Sequence, residues 1–282
     1  LTSSLTTLMY KNSQNTCMYN VIGGLLYLSE SNRRIVILGS GVGKSSLANT
    51  IFGEKLFQIG HTANSGTRKC EAKTKSVNGR SITLIDTPGF FDTDRSEEKL
   101  KPEIVRCICA PGPHAFLILL KVEKFTEQEE AVIHKICQCF SKDALKYAVI
   151  VFTHGDNLPK GEKIEDFVSK NKNLSDLVKK CGNRCHVIDN KYWNNKQQNN
   201  YRSNQFQVEE LLKTIDEMVI ESNGDYYRNE MLQRVEKEIQ KEEERIKQSS
   251  QNMPAEEIRK EAKTRVVMKL WGILFRLALI TE

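Results

Sequence analysis

The sequence predicts an α/β domain on a mostly parallel sheet, with one antiparallel edge strand, helices on both faces and a C-terminal helical extension. Three observations carry this. Short, nearly continuous apolar runs recur at 35–38, 82–85, 115–120, 147–152 and 186–188, as in parallel strands buried on both faces. Segments with helical spacing separate them, which is the alternation of an α/β sheet. The alternating stretch 68–77 meets the strand at 82–85 across Asn78-Gly79, a strong short hairpin signal, so an antiparallel edge strand is expected there.

Residues 1–31 are rich in Ser, Thr and Asn without clear periodicity and read as a disordered leader. The chain starts at Leu1, as a fragment or incomplete gene model would, so the lack of a targeting signal carries no weight. The domain proper is expected over 32–222. Its helices carry recognisable signals. Leu100, Ile104 and Ile108 repeat every four residues, Thr126 with Glu129 forms a capping box ahead of Val132, Ile133 and Ile136, and Val208, Leu211, Leu212, Ile215 and Val219 make one apolar face.

Beyond Asn223-Gly224, residues 223–282 read as a charged helical extension with a thin apolar stripe of Met231, Val235, Ile239 and Ile246. Pro254 interrupts it and 255–265 resumes the same character. The stretch 270–280 is apolar except for Arg276 and too short to span a bilayer. It reads either as a helix packed on protein or as a membrane-facing segment.

With 39% hydrophobic and 28% charged residues the chain fits a globular protein with a sizeable core. The net charge of +6 is spread along the chain, with no basic run interleaved with aromatics, which argues against nucleic acid as a partner. Eight irregularly placed cysteines point to reduced thiols and a cytoplasmic protein, with membrane association through the C-terminal end left open. Cys107 with Cys109, and Cys137 with Cys139, sit two apart on helical segments and cannot clamp one metal. Cys181, Cys185 and His186 lack a fourth ligand and read as buried structural residues rather than a zinc site.

The chemistry begins after the first strand, where Gly39, Ser40, Gly41, Val42, Gly43, Lys44, Ser45 and Ser46 form a glycine-rich turn into a helix that stops at Gly53. Such a turn aims backbone N–H groups at phosphate oxygens beside the positive end of a helix dipole. Lys44 would reach the β- and γ-phosphates and Ser45 would place its hydroxyl on Mg2+. This is the phosphate loop of a P-loop NTPase, with one departure: the pattern has four residues between its first glycine and the Gly-Lys pair, whereas Gly39 and Gly43 enclose three. Either Gly39 takes the first glycine's role in a tighter loop, or the cradle is malformed.

The strand at 82–85 runs into Asp86-Thr87-Pro88-Gly89, the DxxG pattern in which Asp86 holds Mg2+ through water and the Gly89 amide senses the γ-phosphate. Thr67, in the polar loop 63–68, is the candidate switch threonine for the metal. The strand 147–152 ends in Thr153-His154-Gly155-Asp156, where Asp156 is placed to accept hydrogen bonds from guanine N1–H and N2–H2 and so reject adenine. His154 is placed to stack on the base, and Asp189 with Asn190 to close the other side of its pocket.

The segments GSGVGKSSLANTIFGE, LIDTPGFFDT, APGPHAFLILLKVEKFTEQEE and VFTHGDNL together resemble the GIMAP family, the GTPases of immunity-associated proteins, over about residues 33–220. APGPHAF, at 110–116, resembles the family's characteristic box and THGD its variant base-recognition motif. The resemblance implies a septin- and Toc-like G domain, Mg2+-dependent binding of GTP and GDP, nucleotide-dependent assembly with itself or with related G domains, and a C-terminal helical extension. It implies variable hydrolysis, with Phe90 standing where a water-orienting glutamine is absent in the family and Arg106 the candidate for an arginine acting across a dimer. Beside the phosphate loop, the stretch between Arg106 and Pro111 also looks compressed. The expected function is therefore a GTP-dependent dimerisation switch with slow or absent hydrolysis; the rival is a degenerate G domain that binds no nucleotide and acts as a scaffold.

Overall fold

The computed structural model describes residues 6–12, 15–22, 25–29, 32–39, 41, 43–59, 70–87, 112–193, 200–228, 230–249 and 253–278. In chain order these form strands β1 (Thr6–Asn12), β2 (Asn15–Ile22), β3 (Leu25–Ser29) and β4 (Arg33–Leu38), helix α1 (Lys44–Phe52), and strands β5 (Glu71–Val77), β6 (Arg80–Asp86) and β7 (Ala115–Lys121). Helix α2 (Glu127–Phe140), strand β8 (Ala148–Thr153), helices α3 (Ile164–Ser169) and α4 (Lys172–Lys180), strand β9 (Cys185–Val187) and helices α5 (Asn204–Glu221), α6 (Glu230–Ser249) and α7 (Ala255–Ala278) follow.

The main sheet runs β5-β6-β4-β7-β8-β9. All its pairings are parallel except that of β5, which lies antiparallel on β6 at the edge. This is the expected P-loop architecture. The hairpin forms as its sequence requires: Val77 pairs with Arg80, and both loop residues have positive φ, 49° at Asn78 and 75° at Gly79.

The continuous apolar strands are explained by burial on two faces. Ile35, Ile37, Leu117, Leu119, Val149 and Val151 pack against α1 and α5, through Leu47, Ile51, Leu211 and Ile215. Their alternates Val36, Leu38, Phe116, Ile118, Ile150 and Phe152 face Ile136 and Phe140 of α2 together with α3 and α4. Each such fully buried side chain is worth about 2 kcal/mol. Helix α2 starts on the expected capping box, with the Glu129 carboxylate accepting from the Thr126 N–H at 2.8 Å. Helix α5 is also clamped to the sheet by charge, since Asp216 accepts from Arg33 Nε at 3.0 Å and from Arg80 Nε at 2.6 Å.

Two expectations are corrected. In place of a disordered leader, β1–β3 form an antiparallel three-stranded sheet of their own. Ile22 pairs with Leu25. Gly23-Gly24 between them lies outside the described residues, but as a sequence it is a two-residue hairpin signal that a reading based on polar composition passes over. Cys70 is disulfide-bonded, whereas Cys137, Cys181 and Cys185 are thiols. A disulfide depends on two Cα atoms approaching across the fold, which spacing along the chain does not encode. The Cys181 and Cys185 thiols are each pushed up to about 12 by burial, and His186 Nε2 is 2.9 Å from the Thr214 hydroxyl, so these three groups are packing residues.

Helix α5 ends ahead of Asn223 and Gly224, both with positive φ, and the Gly224 N–H returns to the Val219 carbonyl at 2.7 Å. The charged extension is a helical hairpin of α6 and α7, and Pro254 lies just before α7 rather than within a helix. Val235, Ile239 and Ile246 of α6 are buried with Ile258, Ala262 and Val266 of α7. Glu242, buried at this seam, accepts from Arg245, Arg265 and Lys269, and its carboxyl is pushed down to about 2, chiefly by the Lys269 hydrogen bond. No described helix is long and apolar enough to cross a membrane.

Candidate functional site

The turn between β4 and α1 is made by glycines in conformations other residues avoid. Gly39, Gly41 and Gly43 have φ of 148°, 59° and 85°, and Gly43 is the N-terminal cap of α1. Lys44, 7% exposed, folds back so that Nζ donates to the Gly39 carbonyl at 3.0 Å. The Lys44 ammonium and the Gly39 carbonyl thus meet across the turn. An ammonium held inside the turn ahead of the first helical N–H groups is an anion-binding arrangement.

One residue on, the Ser45 hydroxyl donates to Asp86 Oδ2 at 2.5 Å. Asp86 ends β6, which runs beside β4 with Ile37 opposite it, so strand pairing places the carboxylate next to the loop. Thr87 fastens the same strand end by donating to the Ile37 carbonyl at 2.7 Å. A hydroxyl and a buried carboxylate converging beside a caged lysine are the hard oxygen donors that suit Mg2+, which takes one or two protein oxygens and keeps water for the rest. The residues present therefore fit that ion.

The second half of the site lies across the sheet at the ends of β8 and β9. His154 is exposed, with φ 60° in the left-handed region, and Nδ1 is 3.1 Å from the Thr153 hydroxyl. Asp156 is exposed, and its N–H donates to Asp189 Oδ2 at 3.2 Å. Asp189 organises this corner. Its carboxylate also accepts from the Lys191 and Tyr192 N–H groups, while Asn204 at the start of α5 brackets its backbone. The Asp189 hydrogen bond holds the Asp156 carboxyl above its ordinary range. Asp189 itself is held below its own, the hydrogen bonds reaching it outweighing its burial.

Asn190 joins the two halves: its Oδ1 is 3.1 Å from the Thr50 hydroxyl of α1, and a Cβ on Gly43 would lie 3.2 Å from its Nδ2. A cavity of about 520 Å3 opens here, lined by Ser46, Thr50, Asn190, Trp193, Val77 and Gln205 among others, and it does not include Lys44, Asp86 or Asp156. The structure thus gathers Gly39, Gly43, Lys44, Ser45 and Asp86 at one end, and His154, Asp156 and Asn190 at the other, with Ser46 on the cavity wall. Ser40, Val42, Thr67, Gly89 and Arg106 lie outside the described residues.

Three supporting residues escaped the sequence reading. Asn49 on α1 accepts from the Leu56 and Phe57 N–H groups and donates to the Phe57 carbonyl, fixing the chain that leaves α1. Asn204 locks the Asp189 backbone. Trp193, 6% exposed, abuts Gly155, where an added Cβ would stand 2.7 Å from its ring, and Arg202 covers the ring at 5.8 Å. The only sequence signal for the last was a tryptophan soon after an apolar strand. Gly155→Ala is therefore expected to lower stability by about 1–3 kcal/mol through overpacking and to shift tryptophan emission to the red as Trp193 is displaced. Unchanged melting and emission would show that the ring does not support the loop.

Against known families, residues 33–249 match the AIG1 family. Immune-associated nucleotide-binding protein 9 of Arabidopsis thaliana is 30% identical over 249 residues, covering 83% of this chain and 71% of that protein. GTPase IMAP family member 8 of Mus musculus is 32% identical over 165 residues, 56% of this chain and 24% of that larger protein. Among solved structures, Toc33 from Arabidopsis thaliana in complex with GDP and Mg2+ aligns with a TM-score of 0.54 and 19% identity, covering 67% of this chain and 84% of that one, a likeness of fold. The family match spans the sheet, the phosphate loop and the first helix of the tail, and on that match the chain belongs to the AIG1 family.

Proposed function

We propose that this chain binds GTP and GDP with Mg2+ and uses the bound state to control assembly with a second G domain. The observation that carries the proposal is the closed phosphate loop: Lys44 is caged on Gly39 while Ser45 meets Asp86 at 2.5 Å, so the shortened turn keeps both its cation and its metal-side oxygens. Mg2+, when bound, neutralises charge on the β- and γ-phosphates. Lys44 pairs with the same phosphates, Ser45 and Asp86 orient the ion, and backbone N–H groups before Lys44 wrap the diphosphate. At the far end Asp156 accepts from the guanine edge, while His154 and Asn190 line the base. AIG1-family relatives named as nucleotide-binding proteins and GTPases support the reading.

Turnover is proposed to be slow or absent, because Phe90 follows the DxxG segment and cannot orient water. Arg106 is the candidate for completing a partner's site, with Gly89 and Thr67 as the triphosphate-sensing groups. In the chloroplast translocon components atToc33 and psToc159, which share the fold, dimerisation is important for the GTPase activity, and this supports an assembly-linked reading here.

Titration with fluorescent GTP, GDP and ATP in the presence of Mg2+ tests the proposal. Saturable binding of both guanine nucleotides with much weaker ATP binding is expected. Asp156→Ala should cost about tenfold to a hundredfold in GTP affinity, the worth of hydrogen bonds to a charged acceptor, and erase most of the preference over ATP. Protein that stays empty at millimolar GTP would leave the scaffold reading standing.

A further inference from the structure

Among the described glycines assessed for an added Cβ, the one that would meet the closest contact lies outside the nucleotide site. A Cβ on Gly112 would lie 2.1 Å from the Tyr227 carbonyl oxygen and 2.7 Å from the Tyr226 ring, and the first of these is backbone that cannot swing aside. Gly112 belongs to the PGPHAF box, and the nucleotide reading gives that box no task. Its neighbours make complementary contacts. The Pro113 carbonyl accepts from the Tyr227 N–H at 2.8 Å, in the manner of one added strand residue. The His114 ring meets the Tyr226 ring edge-on at 6.2 Å, and its Nδ1 accepts from the Arg34 N–H at 3.0 Å, which ties the box to β4.

Tyr227 is the deepest part of the joint. It is 1% exposed, its ring lies edge-on to Phe116, Phe140 and Tyr147 with centroids 5.1, 6.4 and 5.7 Å away, and its hydroxyl donates to the Phe140 carbonyl. Three separate elements of the domain, β7, α2 and the turn before β8, therefore close around one side chain of the segment that leads into the tail. Outside, Asp225 accepts from Arg228, whose guanidinium covers the Tyr226 ring at 4.4 Å. Among the described elements, α6 pairs along its length with α7, and its buried Leu232, Val235 and Ile239 join the same apolar cluster as Phe116 and Phe140, so Tyr227 lies where the extension enters the core.

We propose that Gly112, Pro113 and His114 form a receptor for Tyr226 and Tyr227, the joint that fixes the α6–α7 hairpin to the domain and whose opening releases it. The box is thus a socket within the chain. Its glycine exists so that the tail's backbone can lie against it, and its histidine so that the first tyrosine has a wall. The proposal does not depend on nucleotide binding.

Hydrogen exchange and limited trypsin digestion of the full chain at pH 7.5 test it. In the unmodified protein the Tyr227 amide should exchange as slowly as the amides of β7 and β8. With Gly112→Ala, cleavage after Arg228 and exchange across 225–249 should accelerate at least tenfold, while β7, β8 and GDP affinity keep their original values. Should Gly112→Ala fail to fold, Tyr226→Ala, which removes one exposed-side ring and leaves Tyr227 in place, is expected to give the same local acceleration to a smaller degree. A rapidly exchanging Tyr227 amide in the unmodified protein would overturn the proposal, as would variants whose cleavage and exchange at 225–249 match the original. Loss of GTP binding in the unmodified protein would sink the nucleotide reading and leave the joint standing.

Discussion

Lys44→Met is expected to reduce GDP and GTP affinity by at least a hundredfold while leaving the nucleotide-free protein folded. The substitution keeps most of the side-chain length and volume, so the turn stays filled, but it removes the ammonium that donates to the Gly39 carbonyl at 3.0 Å. In the bound state that ammonium would exchange one neutral acceptor for the oxygens of two phosphates, and charge-assisted hydrogen bonds of this kind are worth about 1.5–3 kcal/mol each. Two of them amount to roughly a hundredfold or more. Lys44→Arg should not restore binding, because a planar fork does not fit a turn shaped around a compact ammonium. Calorimetric titration with GDP and Mg2+ gives the affinity, and a thermal melt without nucleotide checks the fold. Binding within threefold of the original would mean that the loop's cation does not hold phosphate.

Acidification from pH 7.5 to 5 is expected to lower the melting temperature by on the order of 10 °C. His114 and His186 are both pushed down to about 4, in each case chiefly by burial, with Arg33 and Arg34 adding to the effect at His114. Folded values below the ordinary value of about 6.5 mean that the unfolded chain binds these protons more tightly. Their contribution is therefore intact above pH 6.5 and is lost as the pH falls from there toward 4, reaching about 2 kcal/mol for each histidine at pH 5. The double variant His114→Asn with His186→Gln keeps an acceptor near the Arg34 N–H and a polar atom near the Thr214 hydroxyl, and should flatten the pH profile. Equal acid sensitivity in the double variant would place the loss elsewhere.

The meeting of the glycine-rich turn with Asp86 was legible because its geometry is local. A strand that runs into GSGVGKSS, and another that ends in Asp86, must present those groups at the same sheet edge once β4 and β6 pair. Whether the short loop closes was not legible, since two outcomes fitted the spacing, and the Lys44–Gly39 contact supports the tighter loop. The corner at the ends of β8 and β9 was half legible. THGD marked Asp156 and His154, and the end of the last strand marked Asp189 and Asn190, but Trp193 and Asn204, which hold the corner, come from later segments, and nothing in the order of the chain indicates that an indole lies against Gly155. Conversely, Gly23-Gly24 was a local signal, and polar composition masked it.

Periodicity, glycine placement and turn pairs act between residues a few positions apart, and so the chain order already dictated the parallel sheet, its antiparallel edge, the helices and the phosphate loop. Meetings between distant segments answered to the packed molecule: the contact of Gly112 with Tyr227, the Asp189–Asn204 bracket and the Asp216 clamp. Their partners stand far apart in the chain, and each contact arises only after the order and twist of the sheet have brought the two surfaces together. Local pattern carries no information about that approach.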